Sequence, residues 1–419
     1  MNREPSAEPL HVVLLTNEYP PHVYGGAGVH VEYLARELAR ADGGAHRVDV
    51  LAFGDQDARD GNLTVRGVAS PADFAAQDPR HGKLLDTLGR DLAMAGRVPA
   101  SADVVHAHTW YAHLAGCLAA PLAGAKLVLT THSLEPHRPW KREQLGTAYD
   151  ATTWIERTAY RSADGVVAVS DAMKRDVVDL YGVDESRVET IPNGIDPDEY
   201  RPVERPDVLR RYGVDPETPY VLFVGRVTRQ KGIVHLVRAL RHLRPGTQAV
   251  LAAGAPDTPE IAAEMNAAVA AARETAPGSV VWIEEMVPRE DAIALYGGAA
   301  VFVCPSVYEP FGIINLEAMA CETAVVASEV GGIPGIVVDG GTGLLVPLAL
   351  DGPEPADPDR FARDLADATN RLLADPDRAR AMGRAGRQRV EAEFSWAAVA
   401  RRTLAFYRSL LDGATPGGA

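Results

Sequence analysis

Short apolar runs rich in β-branched residues alternate with longer stretches of helical periodicity along most of the chain. In the first half these runs predict strands at His11–Leu15, Arg47–Phe53, Asp103–His106, Lys126–Thr130, Gly165–Val169 and Val188–Ile191. Helical spacing lies between them at Gly28–Arg40, Tyr149–Arg161 and Asp171–Leu180. Almost continuously apolar strands separated by helices are typical of parallel sheets that are covered on both faces.

The second half of the chain repeats this plan. Strands are predicted at Tyr220–Val224, Ala249–Ala253, Val280–Ile283, Ala300–Cys304 and Ala324–Ala327. Helices are predicted at Gly232–Leu243, Pro259–Arg273, Arg289–Tyr296 and Gly312–Cys321. Two such halves predict an α/β protein with two doubly wound, Rossmann-like domains.

The boundary between the two domains is predicted at residues 191–198, where two prolines and an Asn-Gly turn interrupt the pattern. We therefore expect a first domain at residues 1–196 and a second at residues 197–395, with a hinge at 197–206. A helix at 396–411 has no strand after it and is expected to pack back on the first domain. A length of 419 residues agrees with two domains, since one hydrophobic core rarely serves so long a chain.

Composition narrows the class of protein. The formal net charge of -15 argues against a nucleic-acid partner, which would need a basic face. The three cysteines form no CxxC pair and fit a reduced, cytoplasmic chain. No apolar run reaches the ~18 residues of a membrane span, so we expect no stable membrane insertion. The sequence leaves a homodimer open.

Ligands of open α/β sheets bind beyond the carboxyl ends of the strands, and the chain carries its motifs at those positions. After the first strand, Gly25 and Gly26 open a helix, where backbone N–H groups can approach a phosphate. A tight turn between strand and helix explains the same glycines equally well. The dinucleotide pattern GxGxxG fails because Val31 takes the place of its last glycine, which disfavours a nicotinamide dehydrogenase.

A basic loop follows the strand at Tyr220–Val224. Arg226 leaves the strand and Lys231 enters the next helix. Two fixed cations at this place could neutralise a departing diphosphate. The alternative is an ordinary solvated basic loop, although its position after an apolar strand favours a function.

Two glutamates belong to one segment that leaves a strand and enters a helix. Glu309 is expected just before the helix and Glu317 about two turns inside it. They are therefore given separate roles, with Glu309 reaching a sugar hydroxyl and Glu317 a ribose. The N–H groups of Gly312 and Ile313 at the helix start could hold a phosphate. The alternative is a charge that complements the helix dipole plus an exposed helical glutamate.

The segment after the strand at Lys126–Thr130 is polar, aromatic and basic. His132 could bond a sugar hydroxyl or the reacting centre, or be a strand-end histidine satisfied by its neighbours. Arg138, Lys141 and Arg142 surround Trp140, and an aromatic face with cations suits a sugar phosphate. The alternative is a basic surface loop.

No essential metal is predicted. His106, His108 and His113 lack a carboxylate or cysteine at suitable spacing, which makes a zinc site the weaker interpretation. The Asp-Pro-Asp segments at residues 196–198, 357–359 and 375–377 are interpreted as turns or helix caps.

Together and in this order, the motifs resemble the retaining GT-B glycosyltransferases of glycosyltransferase family 4, in the glycogen-synthase-like group. The resemblance spans nearly the whole chain and implies two domains that face each other across a cleft. The segments that look closest to actinobacterial enzymes called glycogen synthase or α-maltose-1-phosphate synthase are the first loop and the His132 segment. The pieces that carry the likeness are Asn17-Glu18-Tyr19-Pro20-Pro21 with Gly25-Gly26, His132-Ser-Leu-Glu-Pro-His-Arg-Pro-Trp, Asn193-Gly194-Ile195-Asp196, Arg226 with Lys231, and Glu309-Pro-Phe-Gly through Glu317.

The resemblance implies a reaction as well as a fold. ADP-glucose would donate glucose to glucose 1-phosphate or to an α-glucan, with an α-1,4 linkage as product and without cofactor or metal. It assigns the roles in the site as follows: Arg226 and Lys231 to the diphosphate, Glu309 to the glucose hydroxyls, Glu317 to the ribose, and Gly26 and His132 to the border of the transferred sugar. Val23 stands where related bacterial synthases have the lysine of Lys-x-Gly-Gly, which leaves a polymer acceptor in doubt.

Two other functions stay open at this point. A related transferase could act on a lipid such as phosphatidylinositol, although the acidic balance of the chain disfavours a membrane surface. A sensor that binds a nucleotide sugar without turning it over would use the same residues, because fold does not fix function.

Overall fold

The computed structural model describes residues 8–23, 25–138 and 141–413, without the side chains of residues 143 and 144. Tyr24 and Trp140 of the sequence motifs thus lie outside the described residues. The chain divides into two compact units. The first comprises the residues up to Gly194 together with those from Trp396 onward, and the second is Ile195–Ser395. The divide falls two residues before the expected boundary between 196 and 197.

The first unit is built on an eight-stranded sheet with the strand order β3-β4-β2-β1-β5-β6-β7-β8. Only the pairing of β3 with β4 is antiparallel. The strands are β1 His11–Thr16, β2 Arg47–Phe53, β3 Asp57–Asp60, β4 Leu63–Val68, β5 Val104–His108, β6 Lys126–Thr131, β7 Gly165–Ala168 and β8 Val188–Thr190.

Helices connect these strands as the pattern of a doubly wound sheet requires. They are α1 Gly26–Gly44, α2 Gly82–Ala95, α3 Trp110–Ala123, α4 Lys141–Leu145, α5 Ala148–Ser162 and α6 Asp171–Tyr181. Short 3₁₀ turns lie at Pro79–His81, Glu135–His137 and Glu185–Arg187.

The second unit has a six-stranded, all-parallel sheet with the order β11-β10-β9-β12-β13-β14 and a separate small hairpin of β15 and β16. Its strands are β9 Tyr220–Arg226, β10 Gln248–Gly254, β11 Val280–Ile283, β12 Val301–Cys304, β13 Val325–Ser328, β14 Gly343–Val346, β15 Leu350–Asp351 and β16 Glu354–Pro355. Its helices are α7 Pro206–Arg211, α8 Ile233–Ala239, α9 Pro259–Thr275, α10 Arg289–Gly298, α11 Ile313–Ala320, α12 Ile333–Ile336, α13 Pro358–Ala374 and α14 Pro376–Glu393, with a 3₁₀ turn at Leu240–His242.

Each sheet has one place where the strand order reverses. In the first unit this switch point lies between β1 and β5, and in the second it lies between β9 and β12. Open α/β sheets bind ligands in the crevice at such a point, beyond the carboxyl ends of the strands. In the second unit the two strands at the switch point lead directly into the Arg226–Lys231 loop and the Glu309 segment.

The chain returns to the first unit in its last helix, α15 Trp396–Leu411. The ring of Trp396 stacks on Tyr33 of α1 with 5.4 Å between centroids. A side chain on Gly194 would lie 2.6 Å from the Trp396 ring, so the glycine is what lets the indole reach this position. Farther along the helix, the buried Tyr407 hydroxyl bonds the imidazole of His106 on β5.

The strands predicted from the sequence are all present, and their ends differ by at most two residues. The sequence did not predict β3, β4, β14, β15 and β16. The predicted depth of Glu317 was wrong: α11 begins at Ile313 and has eight residues, so Glu317 is its fifth residue, just over one turn from the start. Asp357 and Asp375 do cap α13 and α14, accepting from the N–H groups of Arg360 and Arg378.

Within the part of the chain that the structure describes, no helix combines the length and the apolar character needed to cross a bilayer.

The packing of α15 predicts an unequal effect of two tryptophan substitutions. Trp396 is 5% exposed, and Trp396→Ala should lower the free energy of unfolding of the first unit by about 3–5 kcal/mol. Trp154 on α5 is 61% exposed, and Trp154→Ala should change it by less than about 0.5 kcal/mol. Denaturant unfolding followed by circular dichroism measures both, and equal effects would contradict the packing described.

Candidate active site

The second unit holds a lysine and a glutamate in direct contact at its switch point. Lys231 Nζ donates to Glu309 Oε2 over 2.7 Å, and the two side chains are 21% and 7% exposed. Ser306 Oγ donates to the same carboxylate oxygen over 3.2 Å. The sequence placed these two residues in separate loops, and the fold brings them together.

Two glycines in the left-handed region make this contact possible. Gly232, with φ +61°, ends the loop after β9, and a side chain there would lie 2.0 Å from the Pro305 carbonyl oxygen. Gly331, with φ +55°, packs equally tightly against the carbonyl oxygen of Glu309. The N–H of Val307 also donates to Gln230 O over 2.9 Å. The loops after β9 and β12 are therefore fastened backbone to backbone, which fixes Lys231 beside Glu309.

Electrostatics keep Lys231 charged. Burial acts to lower the pKa of Lys231, but the Glu309 carboxylate and other neighbours more than offset it and hold that pKa above its ordinary value. A buried lysine without such a partner would lose its proton easily. The pair is thus a fixed cation and a fixed anion side by side in a partly closed site.

Arg226 is held by a different carboxylate. Its guanidinium binds Asp257 after β10 in a short ion pair, and its side chain is 35% exposed. The sequence motifs contain no hint of Asp257. Arg226 and Lys231 thus belong to the same loop region, and each pairs with a different carboxylate.

Glu317 is held by two tyrosines. Its carboxylate accepts from Tyr296 over 2.8 Å and from Tyr200 over 3.2 Å. Burial raises the pKa of Glu317, while the tyrosine hydrogen bonds and the charges of Arg289 and Lys231 act in the opposite direction. The side chain is half-buried, so it is not the exposed helical glutamate of the alternative interpretation.

Gly312 and Ile313 form the start of α11, between the two glutamates. Gly312 is the residue before the helix, with φ +105°, and Asn315 packs back onto its carbonyl oxygen. The first N–H groups of an α-helix have no intrahelical acceptor. Their position beside Glu309 agrees with the predicted anion-binding role, which stays a prediction.

In the first unit, the N–H of Gly25 donates to Glu18 Oε2 over 2.7 Å. The carboxylate of Glu18 therefore already provides negative charge at the start of α1. Gly26 differs, because a side-chain carbon built on it would meet no described atom within 4 Å. Packing within the described chain does not require a glycine at 26, which leaves room there for a ligand.

His132 follows β6 and joins other histidines. Its Nε2 lies 3.2 Å from Nδ1 of His108, and the ring of His30 packs edge-on at 4.9 Å between centroids. Burial lowers the pKa of His132 well below its usual value. The imidazole is therefore neutral near pH 7 and can bond a hydroxyl but carries no charge.

Two of the predicted acceptor residues converge on a buried glutamate. Arg138 Nη1 and Lys141 Nζ lie 3.6 Å and 3.8 Å from Glu135 Oε1, and Glu135 is 1% exposed. Arg138 also donates to Ser133 Oγ over 3.1 Å. The sequence interpretation missed Glu135, although it lies inside the quoted segment.

Arg142 does not join this group. Its guanidinium pairs with Asp150 on α5 and lies over the ring of Tyr149, at 5.1 Å from the centroid, on an exposed surface. Trp140, also predicted to contact the acceptor, lies outside the described residues. Arg138 and Lys141 thus share one carboxylate and Arg142 pairs with another, while the acceptor role of these residues stays a prediction.

A second buried glutamate, Glu156, supports the backbone of the segment that contains Glu135. Glu156 on α5 accepts from the backbone N–H of Glu135 over 2.9 Å and forms a short bond with the Tyr181 hydroxyl. Burial, reinforced by the charge of Glu135, raises the pKa of Glu156 to about 8. Burial and the charge of Arg138 lower the pKa of Lys141 to about 8, although Glu135 opposes this shift.

Comparison with known proteins identifies the chain's relatives. The profile of Glycosyltransferase Family 4 matches residues 24–199, and that of Glycosyl transferases group 1 matches residues 204–389. An α-maltose-1-phosphate synthase of Mycolicibacterium smegmatis is 50% identical over 408 residues, which cover 96% of this chain and all of that protein. A glycogen synthase of Mycobacterium tuberculosis is 28% identical over 434 residues, which cover 96% of each chain.

A solved structure supports the same assignment. A sucrose-phosphate synthase of Thermosynechococcus elongatus superposes with a TM-score of 0.74 at 27% identity, covering 97% of this chain and all of that one. The predicted fold class, two Rossmann-like α/β domains with parallel sheets, is confirmed.

The burial of Glu156 predicts a pH-dependent stability. Its raised pKa means that the folded chain keeps a proton that the unfolded chain releases above about pH 4.5, so stability falls as the pH rises towards about 8. Glu156→Gln keeps an oxygen that can accept from Glu135 and Tyr181 but cannot ionise. We expect its melting temperature to fall less than that of the wild type between pH 6 and pH 9.

The exposed Glu185 provides the control, since its side chain is 74% exposed and Glu185→Gln should follow the wild type. Identical pH profiles for wild type and Glu156→Gln would show that Glu156 titrates normally.

Proposed function

The chain belongs to glycosyltransferase family 4, and from this membership we propose that it transfers glucose from ADP-glucose to glucose 1-phosphate. The product would be maltose 1-phosphate with an α-1,4 linkage, made with retention of the anomeric configuration as a step of α-glucan biosynthesis. Hexosyl transfer follows from the family, whereas the nucleotide, the acceptor and the linkage are proposed. ADP is favoured by the resemblance of the sequence motifs.

The contact between Lys231 and Glu309 carries this proposal. A nucleotide sugar joins its sugar directly to a diphosphate through one oxygen, so its anionic part and its hydroxyl-rich part are neighbours. A cation 2.7 Å from a carboxylate at a strand switch point offers one partner for each part. Lys231 would bind the diphosphate and Glu309 would accept from the glucose hydroxyls.

The chemical step breaks the bond between the glucose C1 and the diphosphate oxygen. The acceptor hydroxyl attacks C1 from the same face, and its proton passes to the departing phosphate oxygen, so that ADP leaves. Negative charge grows on the diphosphate as the bond breaks, and a preorganised cation stabilises it most at that moment. Lys231 fits this role because Glu309 keeps it protonated despite burial.

The choice of glucose 1-phosphate over a polymer has two supports. Arg138 and Lys141 offer two cations beside a shared carboxylate, which suits a phosphate ester rather than a neutral glucan. The relative named α-maltose-1-phosphate synthase is 50% identical to the chain, against 28% for the one named glycogen synthase.

A panel of nucleotide sugars and acceptors tests the proposed reaction. With ADP-glucose and glucose 1-phosphate we expect ADP release matched by a disaccharide phosphate, because both charged sites are then filled. ADP release with glycogen should be much slower, and UDP-glucose and GDP-glucose should be poor substitutes.

Other outcomes would replace the proposal. Rapid turnover with glycogen alone would identify an α-glucan as the acceptor, and transfer to phosphatidylinositol vesicles would identify a lipid. Tight binding of ADP-glucose without turnover on any acceptor would indicate a sensor.

The lowered pKa of Lys141 predicts how acceptor use depends on pH. Lys141 is charged below about pH 8 and neutral above it, while the phosphate of the acceptor is a dianion above about pH 6. The kcat/KM for glucose 1-phosphate at saturating ADP-glucose should therefore be greatest between these values and fall as the pH rises through about 8. Lys141→Arg should extend the plateau upward, because a guanidinium stays protonated.

Lys174→Arg on α6 is the matched control and should keep the wild-type profile. Glu156 titrates near the same pH. If kcat/KM of Lys141→Arg still falls near pH 8 as in the wild type, the fall belongs to Glu156, and this result would contradict the role of Lys141.

A further inference from the structure

Three histidines from three elements of the first unit converge on one point. His30 lies on α1, His108 ends β5 and His132 follows β6. One ring nitrogen of each lies within 4.8 Å of the other two. Among the described residues, this is the only group of three or more histidine, cysteine or carboxylate side chains with ligand atoms so close together.

Hydrogen bonding leaves ring nitrogens of this cluster available. Nδ1 of His30 lies 2.6 Å from Asn193 Oδ1, an acceptor, so Nδ1 carries the proton and Nε2 carries the lone pair. That Nε2 is buried and has no partner among the described residues. Nε2 of His108 is buried and unpartnered in the same way.

The neighbouring His106 shows what a structural histidine looks like here. Its Nδ1 bonds the Tyr407 hydroxyl and its Nε2 bonds Thr130 Oγ1, so both ring nitrogens are satisfied within the protein. His30 and His108 are equally buried and lack such complete bonding. Each of these two rings therefore keeps one buried nitrogen without a hydrogen-bond partner among the described residues.

The cluster is also accessible. Metals bind the lone pair of an unprotonated ring nitrogen, and the hydrogen bond of His30 Nδ1 to Asn193 leaves such a lone pair on Nε2. His132 is half-buried and connects the cluster to solvent. Three neutral imidazoles with one open position form a known type of zinc site.

We propose that His30, His108 and His132 form a binding site for a divalent transition metal, with Zn²⁺ as the best-matched ion and water as its fourth ligand. Zinc–nitrogen bonds of ~2.0–2.1 Å would bring the three nitrogens to roughly 3.4 Å apart, which side-chain rotation can achieve from their present spacing. The ion would replace the hydrogen bond between His108 and His132. Asn193 would orient His30 by accepting from its Nδ1–H, because metal-bound histidines usually donate their other ring N–H to such a partner.

This site has a consequence that rests on the proposed function. The resemblance places His132 at the border of the transferred sugar. A metal ion bound to its imidazole would therefore prevent His132 from hydrogen bonding to that sugar. Zinc would then inhibit glucosyl transfer reversibly, and a chelator would restore it.

Metal binding is tested directly on the full chain after treatment with a chelator. Titration with Zn²⁺ against a chromophoric competitor should give one ion per chain, and Co²⁺ should give the visible absorption of a tetrahedral site. His30→Gln and His108→Gln should weaken the affinity at least ~10-fold, and Asn193→Ala by about 10–100-fold. His242→Ala, which removes an exposed histidine of the second unit, should bind as the wild type does.

Circular dichroism shows whether the variants fold, and the melting temperature gives a second measurement on the wild type alone, which Zn²⁺ should raise. Absence of stoichiometric binding, or equal affinity in His30→Gln and wild type, would overturn the site. Zinc binding without inhibition would support the metal site and contradict only its link to sugar transfer. Failure of ADP release under metal-free conditions would contradict the proposed function and leave the Co²⁺ spectrum unaffected.

Discussion

The contact of Lys231 with Glu309 is the constraint on which the second unit's site depends. Removing two charges from water is costly, and a buried ion pair rarely stabilises a fold by itself. Here it also demands two left-handed glycines, Gly232 and Gly331, that let separate loops approach within van der Waals distance. This arrangement places a charged lysine and an oriented carboxylate together at a strand switch point. A nucleotide sugar needs both groups in one place.

The same principle recurs in the other charged groups. Arg226 is held by Asp257, and Arg138 and Lys141 share Glu135. Carboxylates thus orient each cation before any ligand arrives and keep the local charge balanced. Such balance reconciles a net charge of -15 with the proposed anionic substrates, because these would need local cations rather than a basic surface. A phosphate would have to share or displace these carboxylates, which favours ligands that present several oxygens at once.

The sequence predicted those features that local pattern determines. Buried parallel strands are continuous apolar runs, and their loops hold the motifs, so the fold class and the order of the site segments were accessible. The strand β3 was not, because Asp57–Asp60 is polar and exposed and pairs only at the edge. The depth of Glu317 was overestimated, since even from the predicted helix start at Gly312 the five residues to Glu317 amount to only about one and a half turns. Partners far along the chain, such as Asn193 for His30, depend on the fold, and no spacing rule finds them.

The most direct measurement is the turnover of Lys231→Ala with ADP-glucose and glucose 1-phosphate. Glu309→Gln and the double variant complete the cycle, and Lys174→Ala, which removes a half-buried lysine of the first unit paired with the exposed Glu185, is the control. If the pair acts as one unit on the departing diphosphate, Lys231→Ala lowers kcat at least ~100-fold and the double variant is little worse. Near-normal kcat in Lys231→Ala, with Lys174→Ala unchanged, would contradict the account and make the contact merely structural.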